Sequence, residues 1–378
     1  MCSTNISKVC LSSFGGRIDE IPGICVDNFN IINRSAYFLS HCHTDHTEGL
    51  YSDELLDSLE ENVDTYIYVS EMTALIVEHE KYELKKYLKV LKLGEPTLVM
   101  LRSMPEENIE ECVITVTAIP AGHSLGSNMF LFQTNNKTIL YTGDFRISPN
   151  DIKKHRDFHS PQDRNEPIHL DTMYIDTTFL NGEHNVFMRR TEVIDYLTSE
   201  IKSWLDRDSE NRVALSLSAK YGYESVFNEI YKRLRKKVYV NDKIWSLYRK
   251  MPDRVIGVTN DETKIRIHVC HNKYSHYHHR RCVPNSPNAN YLYVRLSAMK
   301  WQNCSLEEVP FKSKDQGTRL DVCFSTHCSR SELVHFVNYF SPKKVVGFPN
   351  PYPQSEGTLV RKNMSDFQFL PKKRRHRR

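Results

Sequence analysis

Three histidines and an aspartate fall within six residues, His41-Cys42-His43-Thr44-Asp45-His46. Imidazole is the commonest protein ligand for zinc-like ions, and an H-x-H-x-D-H spacing turns alternate side chains toward one ion while the next pair faces a second. A solvated surface turn is the bland alternative, since 17 histidines make some clustering expected. Against it stand four further candidate ligands, each just beyond a strand-like run. Ile114–Ile119 alternates and breaks at Pro120-Ala121-Gly122, offering His123. Thr138–Thr142 leads through Gly143 to Asp144, Met173–Ile175 delivers Asp176, and Val322–Thr326 delivers His327. Strands followed by ligand-bearing loops are how rigid scaffolds position metals.

Ligand chemistry then assigns roles. His41, His43 and His123 make a neutral three-nitrogen face for one Zn²⁺. Asp144 is placed to bridge, and Asp45, His46 and His327 complete a second site;. Two divalent ions about 3.5–4 Å apart would stabilise both the attacking and the leaving oxygen of a phosphodiester, and would supply a nucleophile at neutral pH. Such a pair suits in-line hydrolysis, with Asp45, His46, Asp144, Asp176 and His327 as the catalytic set. The ions are one or two Zn²⁺, with Mn²⁺ or Mg²⁺ as options at the second position. Asp176 reads either as a hydrogen-bond partner that orients a ligating histidine or as a strand-end cap.

The elements that must hold these loops are legible in outline. Ala36–Ser40 reads as the strand before the histidine cluster. From about Ile24 to Thr177, short strands alternate with helical stretches such as Ser70–Leu91, which fits a layered α/β unit;. Arg156–Glu166 reads as a surface loop. Beyond it come a helix over Thr191–Leu205, a strand over Val213–Leu217 and a helix over Tyr223–Lys236, so a second α/β unit begins near Leu180. His327 is needed at the first unit's metal site. The chain must therefore return, as a strand over Arg319–Ser325 and a helix over Ser331–Phe340.

The motifs HCHTDH, AGHSLGS and YTGDF resemble those of the metallo-β-lactamase superfamily, and YIDTTF, RIHVC and CFSTHCS are similar to the further motifs of its nucleic-acid-hydrolysing β-CASP branch. Within that branch FLSHCHTDH, MFLFQ, ILYTGDFR, YIDTTF and YGYE are most similar to the Artemis-type DNA nucleases. The resemblance covers roughly Ile24 to Pro342. It implies an αββα metallo-β-lactamase sandwich with an inserted α/β β-CASP domain, and the same metal ligands. We divide the chain accordingly: an extension over 1–23, the sandwich's first part over 24–179, the inserted domain over 180–318, the return segment over 319–365 and a basic tail over 366–378. The resemblance also implies a support role for Asp27 beside the site. It implies DNA as substrate at hairpins, overhangs or 5′ ends, and end-joining factors as partners, including the DNA-dependent protein kinase. An RNA-processing endonuclease would share the metal motifs, and a non-catalytic repair scaffold would require lost ligands.

Outside the metal motifs the signals are weaker. Lys220 in the second unit is a candidate for the scissile-strand phosphate, shifted by two positions from the family's pattern. Arg280 and Arg281, near Tyr277, form a candidate DNA patch, although such runs are more often solvated faces. His268, Cys270 and Cys282 could form a structural Zn²⁺ site in the inserted unit. Tyr239 and His279 are awkward fourth ligands, and a core Cys270 with exposed histidines is the competing reading. His268 is also the β-CASP histidine, which could line the phosphate groove instead.

Composition bounds the partners. The 378 residues carry a net charge of +4, but the last seven include six lysines and arginines, and removing these leaves 45 basic against 47 acidic residues. Global charge therefore gives no argument for nucleic-acid binding. The terminal PKKRRHRR reads as a nuclear localisation signal or phosphate-binding tail, with a disordered basic end as the alternative. No apolar run is long enough for a membrane span, and the start lacks an apolar signal region. Ten scattered cysteines fit reduced thiols in cytosol or nucleus;. We expect a nuclear monomer with no membrane association.

Overall fold

The computed structural model describes residues 14–263, 265–270, 290–299, 301–302, 311–314 and 317–353. In chain order the strands are β1 (Ile24–Val26), β2 (Ala36–Phe38), β3 (Ile67–Val69), β4 (Leu88–Val90), β5 (Thr97–Leu101), β6 (Cys112–Pro120), β7 (Asn128–Gln133), β8 (Thr138–Tyr141) and β9 (Thr172–Asp176). They continue as β10 (Asn211–Leu217), β11 (Val238–Tyr239), β12 (Val258–Thr259), β13 (Ile267–Val269), β14 (Asn290–Leu296), β15 (Phe311–Lys314), β16 (Arg319–Val322) and β17 (Lys344–Phe348). The α-helices are α1 (Asp53–Glu61), α2 (Glu71–Glu80), α3 (Pro149–Ile152), α4 (Arg190–Arg207), α5 (Glu224–Leu234), α6 (Asp242–Tyr248) and α7 (Arg330–Phe340).

Two sheets face each other. One runs β1-β2-β3-β4 and the other β17-β9-β8-β7-β6-β5. Side chains alternate across a strand, so β2 serves two cores: Ala36 and Phe38 point between the sheets, and Tyr37 points outward;. The inner core joins Phe38 to Phe130 and Phe132, with ring centroids 5.5 and 5.0 Å apart, and includes Val116, Ile139 and Tyr174. Burying each such aromatic ring is worth about 1.5–3 kcal/mol. On the outer faces, one core contains residues of α1 and α2 (Leu55, Leu59, Val77). The other sets Leu333, Phe336 and Phe340 of α7 against Leu140 and Met173. The layers are helix, sheet, sheet, helix, the metallo-β-lactamase sandwich. Helix starts are fixed by side chains: Ser52 and Ser70 accept from the amides of Leu55 and Thr73, and Ser329 with Glu332 closes a capping box on α7;.

A third, seven-stranded sheet runs β12-β11-β13-β10-β14-β16-β15, parallel except for β15. Residues of α4, α5 and α6 join its core through Leu197, Phe227 and Leu247. Two expectations are corrected. The helical stretch Ser70–Leu91 is α2, then a 3₁₀ segment over Tyr82–Tyr87, then β4, because Lys81 leaves helical geometry at φ −145°. The strand at Arg319 belongs to the inserted unit's sheet, where Leu320 and Val322 pair with Val294 and Leu296. The chain rejoins the sandwich only after Val322, through 323–329 into α7.

Candidate metal centre

The first ligand loop leaves β2 at Ser40, whose carbonyl accepts from the Asn128 amide at 3.0 Å. Gly143 backs it at φ +51°, and a Cβ there would lie 2.7 Å from Ser40 Oγ, so only glycine lets the Asp144 loop approach this closely;. In the His123 loop, Ser127 Oγ accepts from the amides of His123 and Ser124 at 3.1 and 3.0 Å. Asp144 follows β8, Asp176 ends β9, and His327 follows β16.

These loops bring the expected residues together. Ligand atoms of His41, His43, His123 and Asp144 lie within 4.8 Å of one another, as do those of Asp45, His46 and Asp144. Asp144 lies between the two sets: Oδ2 is 3.5 Å from His41 Nε2 and 3.4 Å from His123 Nε2, and Oδ1 is 3.3 Å from His46 Nε2. His327 Nε2 is 3.9 Å from Asp144 Oδ2. His41, His46 and His123 are buried, whereas the Asp45 side chain is 44% exposed and marks the mouth.

Every ring has its outer nitrogen tied to an acceptor. Asp27 Oδ2 accepts from His46 Nδ1, and Asp176 Oδ2 from His327 Nδ1, both at 2.8 Å. The Thr326 carbonyl accepts from His123 Nδ1 and the Tyr221 carbonyl from His43 Nε2, both at 3.1 Å. Ser40 Oγ donates to Asp27 and so accepts from His41 Nδ1 at 3.0 Å. Since carbonyls and carboxylates only accept, a proton sits on the outer nitrogen of each ring and the five inner nitrogens turn toward one another, those of His41, His43 and His123 as lone pairs. Two of them, His43 Nδ1 and His123 Nε2, lie 2.9 Å apart, and with both outer nitrogens protonated this is a pair of acceptors that a shared metal ion would satisfy. His41 Nε2 is buried without a hydrogen-bond partner;. The donor set fits divalent metal ions.

Charge is distributed unevenly. Burial holds His41 down to about 3 and His123 well below the usual range, and it lowers His43, so this face is neutral. Burial would also lower His46 and His327, but carboxylates overcome it: Asp144 and Asp27 raise His46 well above its ordinary value, and Asp176 and Asp144 raise His327 to about 9. Asp144 is held well below the carboxylate range by His46, His327 and His123 despite its burial.

Asp176 lies behind His327, and its Oδ1 accepts from the Thr178 amide and hydroxyl at 2.8 and 2.6 Å. It therefore both orients the histidine and caps the strand end. Asp27 is a hub that takes bonds from the Ser40 amide, the Ser40 hydroxyl, His46 and the Tyr141 hydroxyl. Lys220 differs from expectation: it is paired with Glu80 and lies 4.9 Å over the Tyr221 ring, because α2 of the sandwich brings a carboxylate to it. Buried His268 occupies β13, registered opposite Tyr239, whose hydroxyl is 3.0 Å from Glu262. The Cys270 amide donates to the Leu215 carbonyl at 2.8 Å. Arg280, Arg281, Cys282 and the basic tail lie outside the described residues.

Sequence reasoning missed the supports. Arg146 is buried against Glu332, with Nη2 3.1 Å from the carboxylate, and donates to the carbonyls of Ser325 and Met188 at 3.1 Å, bracing the His327 loop. Ser40, Tyr141 and the Tyr221 carbonyl were likewise not singled out. The Arg two residues past Asp144 was visible, but its role depends on a partner 186 positions away.

The family model described as "DNA repair metallo-beta-lactamase" matches residues 254–351. Protein artemis of Homo sapiens is 34% identical over 355 residues, 91% of this chain and 50% of that protein. Over most of its length the chain is similar to the artemis proteins, and its fold is that of the metallo-β-lactamases. It spans about half the length of the artemis proteins it matches. DNA cross-link repair protein pso2/snm1 of Schizosaccharomyces pombe is 29% identical over 62% of this chain and 38% of its own length. The 5′ exonuclease Apollo of Rattus norvegicus is 35% identical over 38% of this chain and 23% of its own. The similarity to artemis extends over 91% of the chain and so takes in the inserted unit as well as the sandwich.

Proposed function

We propose that this chain is a metal-dependent DNA nuclease that hydrolyses phosphodiester bonds at hairpins, overhangs or 5′ ends in double-strand-break repair by end joining, or in interstrand crosslink repair. The observation that carries this reading is the convergence of five inner histidine nitrogens around Asp144, each ring locked from behind. His41, His43, His123 and Asp144 would hold one Zn²⁺. Asp45, His46, Asp144 and His327 would hold a second ion, Zn²⁺ or, with substrate, Mn²⁺ or Mg²⁺. Bound metal supplies Lewis acidity and lowers the pKa of water from about 15.7 toward ~7.

The chain's own residues supply orientation. Asp27 and Asp176 accept from Nδ1 of His46 and His327, so that Nε2, the nitrogen whose proton a metal would displace, is aimed inward. Asp144 spans both positions, one carboxylate oxygen toward each. Asp45 and His327 stand at the open side, where a phosphate would enter, with side chains 44% and 23% exposed. Among more distant residues, the basic runs at Arg280, Arg281 and the C-terminus would follow the DNA backbone. Lys220 would join them once a phosphate displaces Glu80. End-joining factors, among them the DNA-dependent protein kinase, are the partners this role implies, and a nuclear location follows from the substrate. The division into a sandwich with an inserted domain, which begins near 180 and runs through β16 to Val322, and the structural Zn²⁺ at His268, Cys270 and Cys282 stand as parts of the same proposal.

End-labelled substrates test it: a DNA hairpin, a 5′-overhang duplex, single-stranded DNA and single-stranded RNA, with Asp144→Asn as control. Cutting of DNA hairpins or overhangs that disappears in Asp144→Asn is the expected result. RNA-only cutting would move the chain to RNA processing, and no cutting with any divalent ion would leave a scaffold.

A further inference from the structure

We propose that the inserted unit is a working part of the metal centre: Glu224 and Tyr248 are positioning residues that hold the Tyr221 carbonyl behind His43. This rests on the metal-centre reading above. Of the five rings, His43 alone takes its outer acceptor from the turn after β10, through the 3.1 Å bond from Nε2 to the Tyr221 carbonyl. That turn is built for one geometry. Gly222 sits at φ +106°, where residues with a Cβ are strained, and its amide donates to Glu224 Oε2 at 2.9 Å;. The other carboxylate oxygen accepts from Tyr248 of α6 at 2.8 Å.

Glu224 is 5% exposed and Tyr248 2%, so a buried carboxylate spends one oxygen on the turn and the other on α6, tying the two together. Leaving such a group in the core is costly unless the bonds it makes are needed. The turn is also clamped to the ligand loop from the other side. Cys42, between His41 and His43, and Ile76 of α2 pack into the inserted unit's core, and His79 Nε2 lies 3.2 Å from Ser246 Oγ of α6. Loss of the Tyr221 carbonyl from this position lets His43 take its other tautomer. That places a proton on Nδ1, the nitrogen facing His123 and the ion.

The test uses the full chain and reads metal affinity by competition with a chromophoric chelator, together with the visible absorption bands of the Co²⁺-substituted protein. Glu224→Ala should weaken binding of the tighter ion by about 10–100-fold and shift the Co²⁺ bands. Glu224→Gln should keep affinity within about threefold, because its amide oxygen accepts from Gly222 and its NH₂ donates to Tyr248. Tyr248→Phe removes one of the two bonds, and an intermediate loss is expected even if Glu224→Ala does not fold. Ile230→Ala, a core truncation in the same helix, should lower the melting temperature without changing affinity. Wild-type affinity in Glu224→Ala, or an equal loss in Ile230→Ala, would overturn the inference. Wild-type protein that takes up no divalent ion would refute the underlying metal reading and this inference with it.

Discussion

Asp27→Asn separates the hub from its neighbours with little disturbance of the backbone. Asp27 sits at φ +53°, a region that asparagine tolerates as readily as aspartate;. Its carboxylate accepts four bonds, from the Ser40 amide at 2.6 Å, the Ser40 hydroxyl, His46 Nδ1 at 2.8 Å and the Tyr141 hydroxyl at 2.8 Å. An amide offers one oxygen, and the Ser40 amide has no alternative to it. The NH₂ group then faces Ser40 Oγ, His46 and Tyr141. The two hydroxyls can rotate and accept, but His46 can accept only by moving its proton to Nε2, the nitrogen 3.3 Å from Asp144. The ligand is thereby lost. Replacing a charged by a neutral acceptor should cost about 1.5–3 kcal/mol in the metal-free protein. At the second site, affinity should fall about 10–100-fold, or roughly 1.4–2.7 kcal/mol. Chelator competition and thermal unfolding read the two effects separately. An Asp27→Asn protein that binds its second ion as tightly as wild type would refute the tautomer argument.

The second site should fill more steeply with pH than the first, since His46 and His327 must lose protons that His41, His43 and His123 do not carry; equal slopes in metal titrations between pH 6 and 9 would contradict this;. In the metal-free protein the same shift works on stability. With the folded value of His327 raised to about 9 against an ordinary 6.5, the stabilisation is complete below about 6.5 and is lost as pH rises through 9, and Asp176→Asn should flatten that slope in thermal melts;. Arg146→Met leaves Glu332 buried with its ion-pair partner gone and should cost about 3–5 kcal/mol, accompanied by loss of the second ion through the His327 loop; loss of stability with full metal content would limit Arg146 to the fold;.

The candidate ligands were legible because metal chemistry restricts residue types so strongly. Few side chains bind zinc, so His41, His43, Asp45 and His46 in one turn stood out, and strand-ending runs located His123, Asp144 and His327. Helices such as α4, α5 and α7 were visible from apolar spacing. What failed depended on distant partners. β16 reads as a strand either way, and only its pairing with β14 places it in the inserted sheet. Lys220 looks like a free cation until α2 presents Glu80, 140 positions earlier. The supports of the site are ordinary residues, a serine, a tyrosine, an arginine and a backbone carbonyl, which acquire a role only through the neighbours that folding supplies.

The most direct test of the two-ion account is to strip the protein with chelator, restore Zn²⁺ or Mn²⁺ in measured equivalents, and follow cleavage of an end-labelled DNA hairpin alongside metal content. The account predicts no cleavage by the stripped protein, recovery that saturates as both sites fill, and none in Asp144→Asn. Undiminished cleavage by the stripped protein, or full activity in Asp144→Asn, would contradict it.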